Sequence, residues 1–237
     1  NMLALNTTER ENKDFYGRVY CTGNVGLYGF MNDIHMEVKA TTKKNSKFIL
    51  PLDGPTEIAE NDFIKFVKKD TVKREVKHDL TGFNLDLNIV ATPEATTQII
   101  FDKISGDAIN VYGNGDIKMK INTLGKFEMY GDYIMNGGDY NFSLQNVISK
   151  KFDIDPGSTI IWSGNPYNGD IDITASYRQR ASIAPFISDP TAAQQYKSRT
   201  PAACKLIMKH TLMKPEISFE LEFPTISDNV RSQISSV

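Results

Sequence analysis

The sequence predicts an all-β fold, an irregular solenoid or curved sheet, and three observations carry that prediction. Gly131 to Tyr177 alternates apolar and polar residues in short runs, the period of a half-buried strand. Gly, Asn, Asp or Pro punctuates each run, as turns between strands require. Helical spacing is confined to the last residues, and no motif recurs at the fixed period of a regular β-helix. A sheet with no helix to cover it must bury its apolar face on itself or on a ligand.

In chain order, Phe15 to Gly29 reads as strand, turn (Thr22-Gly23-Asn24) and strand. Asp33 to Thr41 alternates cleanly, with Ile34, Met36 and Val38 on one face, and Lys47 to Leu50 is a short strand ending at Pro51. Residues 51–81 break the rhythm, and the mixed charges from Lys68 to Asp79 read as a solvated loop. The ladder resumes with Leu85, Leu87 and Ile89, then Thr96 to Phe101, then Ile109 to Tyr112. Gly113-Asn114-Gly115 leads into Ile117, Met119 and Ile121; Phe127, Met129, Tyr133 and Met135 follow, then Tyr140, Phe142 and Leu144. Phe152 and Ile154, Ile160 and Trp162, and Ile171, Ile173, Ala175 and Tyr177 continue in phase. Asn-Gly and Gly-Gly signals predict sequential hairpins rather than parallel crossovers. After a polar excursion at 178–201, Leu206, Met208 and Leu212 form a strand, and Ile217 to Phe223 the last one. Ile226, Val230, Ile234 and Val237 then fall at helical spacing behind a Ser227 cap, so 226–237 reads as the start of a truncated helix.

Composition narrows the function. A formal charge of −2 and a pI near 6.0 lack the cationic excess that phosphate backbones attract, which argues against a nucleic-acid partner. No apolar run reaches the roughly 20 residues of a membrane-spanning helix, and no leader peptide opens the chain. Cys21 and Cys204 fit no metal or redox spacing and read as unpaired thiols, and His35, His78 and His210 have no second ligand at helical or hairpin spacing. Asp170 and Asp172 could pair as catalytic carboxylates, yet they read better as the wet face of a strand whose dry face is Ile171 and Ile173. Gly113-Asn114-Gly115 opens no helix that could hold phosphate, and no serine has a triad partner in any motif. The expectation is a protein without catalysis, metal or cofactor.

Several stretches resemble one family. They are Asp62 to Phe66, Met129 to Tyr140, Leu144 to Phe152, Gly157 to Tyr167, Asp172 to Tyr177 and Pro215 to Phe219. Together they are similar to the C-terminal domain of TamB, the translocation and assembly module subunit, and closest in flavour to its Bacteroidetes versions. The resemblance implies a β-taco: an elongated curved sheet folded along its length around an apolar interior groove. It further implies a periplasmic module of a longer protein anchored in the inner membrane, relatives thought to conduct phospholipid, and an Omp85-family (TamA-like) outer-membrane partner. Residues 1–225 would be that β domain, with 51–81 and 178–201 as long loops. Ahead of the final strand the family often has Gly where this chain has His210.

Two functional readings and one structural one follow. In the first, the in-phase residues Ile34, Met36, Val38, Leu85, Leu87, Ile89, Ile117, Met119, Phe127, Met129, Phe142, Ile171, Ile173, Ile217, Phe219 and Leu221 line a groove that shields phospholipid acyl chains in transit between the two membranes. A charge in that groove, as in Ile173→Glu, should then spare folding and stop lipid passage. In the second, the module holds nascent outer-membrane barrel strands through its open edge. In the third, the interior is a dry core and the module a spacer.

Overall fold

A computed structural model describes residues 2–30, 33–52, 82–123, 126–144, 148–187, 193, 194 and 197–226. The charged run at 68–79 and the tail 227–237 lie outside these residues. Strands β1 (Met2–Thr7), β2 (Tyr16–Phe30), β3 (Asp33–Thr42), β4 (Ser46–Pro51), β5 (Phe83–Ala91), β6 (Ala95–Asp102) and β7 (Asp107–Asn122) make up the first half. β8 (Phe127–Leu144), β9 (Ile148–Ile154), β10 (Thr159–Gly164), β11 (Asp170–Ala181), β12 (Thr200–Thr211) and β13 (Lys214–Glu222) complete it. The fold is all-β, as the alternation requires.

All thirteen strands belong to one sheet, ordered β13-β12-β11-β10-β8-β7-β5-β3-β2-β4-β6, with β1 on β2 and β9 between β8 and β11. Tracing pairings from β7 through β5, β3, β2, β4 and β6 returns to β7, a closed ring of six strands. The registers explain the closure. β8 occupies one edge of β7 from Ala108 to Ile121, so β5 and β6 share the other edge, end to end. Cys21 and Gly17 of β2 meet β1 on one side and Thr42 and Phe48 on the other, so β3 and β4 also share an edge. β9 and β10 lie end to end between β8 and β11. Each of these pairs is one long strand interrupted by an insertion, at 43–45, 92–94 and 155–158.

The interruptions align across the sheet. Register sets them beside the shift in β7 between Tyr112 and Gly113, and beside Gly137 and Gly138 of β8. A single crease results, and the sheet folds on it into two limbs. Gly137 and Gly138 have φ of 155° and 144°. A Cβ on Gly138 would run into the Asn110 carbonyl oxygen of β7, so only glycine permits this approach. Here the sequence expectation needs correction. Gly113-Asn114-Gly115 and Gly137-Gly138 are not turns between short strands; they lie inside strands of 16 and 18 residues. Thr22-Gly23-Asn24 likewise lies within β2.

Hydroxyl side chains replace the ladder bonds that the crease removes. Tyr20 N–H donates to Ser46 Oγ (2.9 Å), which donates in turn to the Tyr20 carbonyl (3.0 Å). Thr92 N–H donates to Thr42 Oγ1 (2.9 Å), and Thr174 N–H donates to Ser158 Oγ (3.1 Å). Ser176 Oγ donates to Asp155 Oδ2 (2.8 Å). Among the described residues the buried polar side chains are Thr42, Ser46, Ser158 and Ser176, all at the crease. A buried backbone group left without a partner costs about 1–3 kcal/mol, which these hydroxyls avoid.

Two further expectations are revised. β3–β5 and β4–β6 are parallel pairs, not hairpins, because the long connection from β4 to β5 permits a return that a tight turn cannot make. β11 runs on to Ala181 and β12 begins at Thr200, which narrows the excursion expected at 178–201.

Both limbs present apolar faces to each other. On the first, Val38, Leu87, Met119 and Met129 sit in successive register; on the second, Leu50, Ile99, Ile109, Tyr140 and Phe152 do. From β8 to β12 the limbs meet in a packed core with Ile160, Ile173, Leu206 and Met208 fully buried. Each such side chain stabilises the fold by about 1.5–3 kcal/mol.

Candidate functional site, an apolar cavity between the limbs

Toward β1–β7 the limbs do not fill the space between them, and a cavity of about 220 Å³ remains. The first limb supplies Val38, Ala40, Leu85, Leu87, Ile89, Ile117, Met119 and Met129, and the second Phe48, Leu50, Thr97 and Ile99. Among the described residues no charged side chain lines it. On the core side Met129, Tyr133 and Trp162 end the cavity, and these three are nearly or fully buried. Trp162 is held by its Nε1–H donating to the Pro166 carbonyl at 3.0 Å. Burial pushes the Tyr133 phenol up to about 12 against a hydrogen bond with Thr97 that reaches across the limbs, so this wall stays neutral at physiological pH. Burial also raises the Cys21 thiol, a further neutral wall residue.

The segment ahead of β2 straps the two limbs together. Phe15 packs on Phe127 of the first limb (centroids 5.2 Å apart) and on Phe48 of the second (6.0 Å). The segment is tied by Tyr167 Oη donating to Asp14 Oδ1 (3.4 Å) and by Lys103 Nζ on Glu9 (2.9 Å). Past the cavity the floor of the first limb continues in phase to half-buried Met36 and Ile34, then to Val25 and Leu27 on β2, 49% and 66% exposed. The apolar surface therefore opens to solvent at the β2 edge.

The structure separates the sixteen residues expected in a groove. Val38, Leu85, Leu87, Ile89, Ile117, Met119 and Met129 line the cavity. Ile34 and Met36 lie on its open extension, and Phe127 packs under Phe15. Phe142, Ile171 and Ile173 are buried in the packed core, away from the cavity. Ile173 is fully buried, so Ile173→Glu would place a charge in the core and unfold it rather than spare folding. Ile217, Phe219 and Leu221 stand exposed on β13, facing the same way as buried Met208 and Leu206 of β12. The sequence reading missed Phe15, Phe48, Leu50, Ile99, Tyr133 and Trp162. Their alternation was visible, but it names a face, not which limb will stand opposite.

Other candidates resolve simply. Asp170 and Asp172 are exposed on the outer face, with Lys209 Nζ 4.0 Å from Asp172. Cys21 and Cys204 are free. Among the described residues no three His, Cys, Asp or Glu side chains cluster as metal ligands would. His210 has φ of 72°, the left-handed conformation that glycine takes freely, so the backbone shape expected for a glycine persists here in a histidine.

The family model described as the TamB C-terminal domain matches residues 1–237. The chain belongs to the TamB C-terminal domain family. No curated protein matches it. Membership of the TamB family gives the chain a role in envelope biogenesis and a place in the cell envelope. No helix among the described residues is long and apolar enough to cross a membrane.

Proposed function

We propose that this module shields phospholipid acyl chains between its two limbs while they move between inner and outer membrane, and that it makes or breaks no bond. One observation carries the reading: a cavity that the described residues line without a charge, and whose apolar floor runs out to an open edge. Each methylene buried there regains about 0.8 kcal/mol of what it loses on leaving the bilayer, while a headgroup at the β2 edge stays hydrated. The full-length protein would be anchored in the inner membrane, with this part in the periplasm near the outer membrane. Native mass spectrometry of the protein purified from cells tests the reading. Phospholipid should co-purify and should be lost in Val38→Phe, which fills the cavity without adding charge. Lipid-free wild-type protein, or lipid retained unchanged in that variant, would contradict it.

A second reading rests on β13. Its outer edge has no strand partner among the described residues, and Ile217, Phe219 and Leu221 are 38%, 51% and 59% exposed. Such an edge suits strand addition from an Omp85-family partner or a nascent barrel protein. Crosslinks from β13 to such a protein, abolished by a proline whose missing N–H faces the open edge, would support it; lipid-only adducts would not.

A further inference from the structure

Granting the acyl-chain reading, we infer that the site takes the end of a single acyl chain, methyl end first, with its tip against Trp162. An apolar cavity of about 150 Å³ holds benzene, so about 220 Å³ takes on the order of eight or nine carbons. That is roughly half of one ordinary acyl chain and excludes two chains side by side. Direction follows from the ends. The inner end is closed by Met129, Tyr133 and Trp162, and behind them Ile160, Ile173 and Met208 leave no space for a chain to continue. The open end is the half-buried floor toward Val25 and Leu27, where a polar headgroup keeps its water. A carboxylate or phosphate driven inward would meet only neutral and apolar walls, and its desolvation would go uncompensated. This module therefore does not conduct lipid lengthwise through β8–β12. A chain enters and leaves by the same end, and the second chain of a phospholipid stays outside the cavity.

Trp162 is the single tryptophan of the chain, so its fluorescence reports on that end alone. The experiment uses the unmodified protein and hexadecanoic acid carrying bromine, a short-range quencher, either on the terminal carbon or beside the carboxylate. Terminal bromine should quench Trp162 strongly and carboxyl-side bromine weakly. In a series from hexanoic to hexadecanoic acid, affinity should rise about fourfold per methylene up to the eight or nine carbons the cavity accepts, then level off. Equal quenching from both positions, or affinity that keeps climbing to hexadecanoic acid, would overturn the single-tip, blind-end site while leaving acyl binding intact. If no acid of any length binds by native mass spectrometry, the acyl-chain reading fails with it.

Discussion

At Asp107 the fold carries a cost that pH should reveal. Its Oδ1 is buried without a hydrogen-bond partner. Burial raises its carboxyl above the ordinary 3.8, partly countered by the Tyr140 hydroxyl. A raised carboxyl means that the folded chain holds the proton more tightly than the unfolded one. Stability must then fall as pH rises from the ordinary value through the raised one, and the penalty is complete above it. Asp107→Asn removes the charge, so its stability relative to wild type should grow from pH 3 to pH 7. Urea midpoints at both pH values check this; a constant difference would show that the Asp107 carboxylate is not penalised. Nothing in the sequence marked the residue, because desolvation depends on the β6–β7 corner and on Tyr140 from β8.

Strands were legible as elements, but their joints were not. Period-two alternation placed β5, β8, β11 and β13 because apolar residues recur two apart in each. The glycines misled in β2, β7 and β8, since glycine at a turn and glycine under a neighbouring backbone look alike in sequence. Likewise Thr42, Ser46, Thr92 and Ser158 read as ordinary polar residues, yet they carry the crease. Ser158 shows the energetics most simply: its hydroxyl accepts from Thr174 N–H and donates to the Asp155 carbonyl at 2.8 Å. Ser158→Ala should destabilise by about 1–3 kcal/mol, the cost of stranding a buried backbone donor, while Ser163→Ala on the exposed face of β10 should lie within about 0.5 kcal/mol of wild type. Equal denaturation midpoints for the two variants would show that the hydroxyl is dispensable at the crease.

For the whole molecule, a sheet this large buries much of its apolar face by one device, folding along a crease. The fold class, and nine of the sixteen groove candidates on the cavity wall or its open extension, were readable from phase alone. Which residues are sealed, as Phe142, Ile171 and Ile173 are, depended on how far the limbs close, which no local pattern records. The central claim is that lipid lies between the limbs rather than on the outer face. The direct measurement is photocrosslinking in cells, with a photoreactive residue placed in turn at Leu85, Asp86, Leu87 and Asn88 of β5. If the account is correct, lipid adducts form at Leu85 and Leu87 and are absent at Asp86 and Asn88. Adducts of equal yield at all four positions, or none at the inward pair, would contradict it.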